Sequence, residues 1–114
     1  MLDKLAQIET RYEELTNELS SPELLSNPSA YGKAAKQHRS LGEIVERYRA
    51  WKTLNDELTG ARELMEHAED EEMRELARVE IEALQAQLEQ AETRVEILMK
   101  RAGEVTPQPF RPDK

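Results

Sequence analysis

The chain has 114 residues, sixteen basic against twenty-four acidic, for a net charge of −8 at neutral pH, and no cysteine. Without a thiol there is no disulfide scaffold, no thiolate zinc site and no thiol nucleophile, and the acidic balance argues against DNA or a dedicated nucleic-acid role, since phosphate binding is mainly cationic. No run approaches the ~20 apolar residues of a membrane span, and the opening MLDKLAQIET lacks a secretory h-region; the expected location is the cytoplasm, with no membrane partner.

Aromatic residues make up only 4% of the chain and glycines number four, the profile of long helices rather than of a sheet. The first predicted helix runs from Leu2 to about Ser20. Its stripe is Leu2, Leu5, Ile8, Tyr12, Leu15 and Leu19, spaced by three and four residues. Ser20-Ser21-Pro22 ends it, because the residue before proline avoids the helical region. SPELLSNP, residues 21–28, reads as a connection with one helical turn around Glu23–Leu25.

The second helix starts at Asn27-Pro28, with Asn27 as cap and Pro28 in the first position, and runs to about Glu66. Its main seam is Tyr31, Ala34/Ala35, His38, Leu41, Val45, Tyr48, Lys52, Asn55, Leu58, Ala61 and Met65. A neighbouring stripe of Ile44, Trp51, Leu54 and Leu64 predicts contact with two partner helices. Gly42 and Gly60 mark bends or close contacts.

HAEDEE at 67–72 is the next turn, with Asp70 as cap of the third helix. That helix carries the cleanest heptad: Ala77, Ile81, Leu84, Leu88, Ala91, Val95 and Leu98. Gly103 is expected to end it, leaving residues 103–114 as a proline-rich, disordered tail behind a helical domain of residues 1–102. The second and third helices would be roughly 58 and 48 Å long. The expected fold is all-α: an antiparallel three-helix, coiled-coil-like bundle with two long helices and a shorter first one. The end of the long hairpin would project as a tip near residues 64–74.

Charge is segregated along the chain. Residues 1–27 and 70–101 each carry −4, whereas 31–52 carry +4 from Lys33, Lys36, Arg39, Arg47, Arg49 and Lys52 against Glu43 and Glu46. A basic middle helix between acidic neighbours fixes their pairing; the opposite side of the same helix is available to an acidic partner or an RNA backbone.

No catalytic constellation is visible, so no enzyme activity is expected. His38 falls on the helix-two seam beside small residues and reads as a partly buried, satisfied histidine; His67 lies in a turn. Neither belongs to an HExxH or ExxH pair, so no metal is expected. The serines lack a GxSxG context and the glycines form no phosphate-cradling loop. No cofactor is implied. Met65, Met73 and Met99 read as core fillers, and Trp51 as packing between helices, with an exposed binding anchor as the alternative.

The stretches MLDKLAQIETRYEELTNELSSPELLSNPSAYGKAAKQHRSL, EIVERYRAWK and DEEMRELARVEIEAL, in that order, resemble the N-terminal domain of the bacterial peptide chain release factor 1 family, the class-I factors that read UAA and UAG. The resemblance runs from Met1 to about Leu98. It implies a ribosome-docking module in translation termination, reaching the base of the large-subunit stalk and nearby rRNA, with a GTPase recycling factor as a further contact. The family's GGQ loop and its decoding loop are absent from this sequence, and Arg101-Ala102-Gly103 matches only faintly the start of the family's strand-rich core. Candidate contact residues are Lys33, Lys36 and Arg39 on the basic helix, and His67, Glu69, Asp70, Glu71 and Glu72 at the tip. A competing reading is a stand-alone coiled-coil adaptor or chaperone-like module that self-associates through the hairpin.

Overall fold

The computed structural model describes residues 2–105, with side chains described through Arg101. The described chain is all-α, in four helices: α1 (Leu2–Glu18), α2 (Pro22–Leu25), α3 (Pro28–Glu66) and α4 (Glu71–Val105). Three correspond to the expected long elements, and α2 is the single turn expected in the connection.

The helix boundaries follow from local chemistry. Ser21 serves two helices at once. Its Oγ donates to the Glu18 carbonyl at 2.8 Å and accepts from the Leu24 amide at 3.3 Å, so one hydroxyl both closes α1 and caps α2, with Pro22 in the first position of α2. Asn27 then starts α3, its Oδ1 accepting the Ala30 amide at 3.2 Å. Asp70 starts α4 in the same way, accepting the Met73 amide at 2.8 Å.

The end of α4 differs from expectation. Gly103 lies inside the helix, which continues to Val105. A C-terminal glycine stops a helix by taking a left-handed φ, and no described glycine has a positive φ. Gly103 therefore weakens the last turn without ending it. The predicted disordered tail falls mostly on residues 106–114, outside the described residues.

The chain forms two compact units. Among the described residues, unit 1 comprises residues 2–46 and 97–105, and unit 2 comprises residues 47–96. In unit 1, Leu5, Ile8 and Leu15 of α1 and Leu41, Ile44 and Val45 of α3 are buried to within 2% of full enclosure. At roughly 1.5–3 kcal/mol for each such side chain, they dominate its stability. The two helices also meet through polar and aromatic groups. The Tyr12 and His38 rings stack with centroids 4.3 Å apart, and Arg11 reaches Gln37 at 3.5 Å. A Cβ at Gly42 would lie 3.2 Å from the Tyr12 ring, so here glycine permits close approach.

In unit 2, residues 47–66 of α3 and 71–96 of α4 share one apolar seam. Leu58, Ala61 and Leu84 form its buried centre, with Leu54, Ile81 and Leu88 packed against it. Every heptad position expected in α4 is buried or half-buried: Ala77, Ile81, Leu84, Leu88, Ala91, Val95 and, in unit 1, Leu98. Tyr48 and Trp51 stack at 6.3 Å, with the Lys52 ammonium 4.6 Å from the Tyr48 centroid. The Trp51 indole N–H is buried without a hydrogen-bond partner. Trp51, half-buried and stacked on Tyr48, is a packing residue, as its place on the second stripe suggests.

Candidate interaction surfaces

No group of three or more His, Asp or Glu side chains among the described residues is arranged to hold a metal ion. The two histidines have structural partners. His38 Nε2 lies 2.8 Å from Thr16 Oγ1. The Thr16 hydroxyl donates to the Tyr12 carbonyl at 3.0 Å, which leaves its oxygen to accept from an Nε2–H. This is the half-buried, satisfied histidine expected from the seam. The His67 Nδ1–H donates to the Glu63 carbonyl at 2.9 Å, closing the last turn of α3.

The basic candidates Lys33, Lys36 and Arg39 lie in unit 1 on the first three turns of α3, all exposed. A spacing of three residues keeps them on one side of the helix. The acidic candidates lie in unit 2. His67, Glu69, Asp70, Glu71 and Glu72 occupy the turn and the start of α4, and all five are exposed. Arg74 braces this turn: it donates to Glu71 at 3.0 Å and to the Ala68 carbonyl at 3.3 Å. Arg78 hydrogen-bonds Glu75 and Glu82 on the same helix. The hydrogen bond from Arg78 holds the Glu75 carboxyl below the ordinary carboxylate range, although both groups are solvent-exposed and strongly screened.

The structure adds a feature that the sequence reading placed in the core. Leu64, Met65 and Met73 are exposed, at 64%, 38% and 50%. Only Met99, of the three methionines expected to be core fillers, is half-buried. Leu76 and Val79 are exposed too. The reason is that unit 2 is a pair of helices at this end: one seam covers one stripe on each, and apolar residues beside it meet water. Gly60, Ala61, Leu64, Met73, Leu76 and Ala77 form the apolar lining of an open groove of about 860 Å³. Glu57, Glu63 and Glu80 line it as well, with His67. The available signal was positional: Leu64 and Leu76 flank seam residues.

A second, smaller cleft of about 190 Å³ in unit 2 is lined by Arg47, Arg94, Gln87 and Gln90 over Ala50, Leu54 and Ala91. No helix among the described residues is long and apolar enough to cross a membrane.

Residues 8–108 match the PCRF domain family. The chain is similar to proteins named peptide chain release factor 1. It is 39% identical over 99 residues to that of Acidobacterium capsulatum, covering 87% of this chain and 27% of the relative. For Syntrophomonas wolfei the identity is 40%, with 87% and 28% covered; for a Clostridium botulinum relative it is 37%, with the same coverage. The chain therefore spans a little over a quarter of the length of the curated relatives it matches. No solved structure matches. With the match extending over most of its length, the chain belongs to the PCRF domain family and is similar to bacterial peptide chain release factor 1.

Proposed function

We propose that this chain acts in translation termination as a ribosome-docking module of the release-factor type, and that it performs no catalysis itself. The carrying observation is the similarity to peptide chain release factor 1 proteins over 87% of the chain. The long α3 and α4, with α1 beside them, are read as an antiparallel three-helix, coiled-coil-like arrangement, which suits a role in reach and contact. On this reading the module works in the cytoplasm. Lys33, Lys36 and Arg39 face rRNA near the stalk base of the large subunit, and the tip from His67 to Glu72 meets a stalk-base protein. A GTPase recycling factor is a further partner.

The three cations and the tip make separable predictions. A basic side chain that neutralises a phosphate releases counterions, so its loss lowers the salt dependence of binding. The variant Lys33→Glu/Lys36→Glu/Arg39→Glu is expected to weaken co-sedimentation with bacterial ribosomes and to flatten its dependence on salt. Unchanged binding across the salt series would remove this face from the reading.

The exposed apolar residues at 64–79 favour a second reading, a stand-alone adaptor that self-associates through the hairpin. Sedimentation velocity across a concentration series separates the two. A mass that stays monomeric favours docking on a different partner.

A further inference from the structure

We propose that the groove at the end of unit 2 binds a cationic amphipathic helix of a partner protein. This deepens the docking reading of the tip and rests on it for the biological setting; the groove's own binding is measured without ribosomes.

The argument begins with exposure. A single exposed leucine is ordinary on a protein surface. Here Leu64, Met65, Met73, Leu76 and Val79 are all exposed within sixteen residues of chain. Leu64, Met73 and Leu76 line one groove. Grouped apolar exposure with a polar rim is the mark of a contact surface. The α3 side of the groove runs from Glu57 to His67, roughly 15 Å along the helix, which matches about three turns of an incoming helix. Met73 supplies a side chain that adapts to the incoming residues. At Gly60 a Cβ would meet nothing within 4 Å, so the wall is open where a partner approaches.

Charge decides the occupant. Between residues 57 and 80, nine carboxylates stand against three arginines, a net of −6 out of −8 for the whole chain. Glu57, Glu63 and Glu80 line the groove itself. An isologous contact with a second copy would place two such ends face to face, and like charges in an interface oppose association. An anionic membrane is opposed for the same reason. A helix with an apolar stripe flanked by Lys or Arg satisfies both features. Its stripe covers Leu64, Met73 and Leu76, and its cations face the three glutamates. The mode is a helix laid in a groove, with the apolar stripe giving affinity and the charges giving rate and direction.

The test uses the 114-residue chain and three labelled synthetic peptides, read by fluorescence anisotropy. The first peptide has a leucine stripe at helical spacing with lysine flanks. The second has the same composition with the stripe dispersed, and the third carries glutamate in place of lysine. The first peptide is expected to saturate, with the second and third at least about tenfold weaker. Leu64→Ser/Leu76→Ser is expected to weaken the first peptide by about tenfold or more. Both leucines are exposed, so the variant should retain its fold, which circular dichroism checks. Glu63→Lys/Glu80→Lys should narrow the preference for the first peptide over the third, because it takes the net charge of residues 57–80 from −6 to −2. Thr10→Ala, at an exposed uncharged position of unit 1, should leave peptide binding unchanged.

Equal binding of the dispersed peptide, no saturation with the first, or indifference to Leu64→Ser/Leu76→Ser would overturn the proposal. Self-association abolished by Leu76→Ser would also overturn it, in favour of a second copy. Peptide binding without ribosome binding would leave the groove standing and remove the docking reading. Ribosome binding without peptide binding would do the reverse.

Discussion

The two units bury similar residue types to different effect. In unit 1, α1 lies along the first part of α3, and six large aliphatic side chains are enclosed to 2% exposure or less. In unit 2, the two long helices share a narrow seam centred on Leu58, Ala61 and Leu84. Alanine supplies three of its seven buried residues, at positions 61, 77 and 91. Such a seam brings helices close but encloses little volume. The exposed large apolar residues divide in the same way. Those of unit 1 are separated along the chain, at Leu2, Leu25, Tyr31 and Ile97, whereas the five of unit 2 all lie between 64 and 79. A helical pair without a third element leaves apolar surface for a partner to cover, and unit 1 has spent that surface internally.

Truncation should show the largest contrast. Leu15→Ala in unit 1 is expected to lower stability by roughly 3 kcal/mol, from lost burial and the cavity left behind. Leu76→Ala, exposed in unit 2, should stay within about 0.5 kcal/mol of the parent. Urea unfolding checks both, and similar losses would mean that the tip is as enclosed as the core.

A smaller effect separates two glycines on one helix. A Cβ at Gly32 meets nothing within 4 Å, so Gly32→Ala should stabilise the chain by about 1 kcal/mol through helix propensity. At Gly42 the same methyl would press on the Tyr12 ring, so Gly42→Ala should gain less or lose outright. Thermal unfolding of the two variants reads the difference directly.

The smallest effect concerns Glu75. Its folded-state pKa lies below the ordinary value of 4.5 because Arg78 hydrogen-bonds its charged form. The linked stability is therefore present above pH 4.5 and lost as pH falls through the lower, folded-state value. Arg78→Ala should remove that acid dependence. About 1 M salt should suppress it in the parent, because the pair is exposed.

Much of this was legible in the residues. The Asn27 and Asp70 caps follow from short polar side chains placed just before apolar periodicity. The α4 seam follows from a strict heptad, and His38 from its place on a buried stripe. Other features depend on which neighbours the folded chain supplies. Leu64, Met65 and Met73 have the spacing of core residues, and only the absence of a third helix beside them in unit 2 exposes them. Gly103 has the composition of a helix stop, yet its backbone conformation decides the matter. The groove was hidden for the same reason: Leu76 sits one residue from the seam position Ala77, and no pattern within one helix says whether that flank is covered.

The most direct test is hydrogen exchange of the whole chain with and without bacterial ribosomes. If the exposed apolar end of unit 2 is where a partner lands, amides within residues 60–80 will be protected on binding. Ribosome binding that leaves residues 60–80 exchanging at the free rate would contradict it.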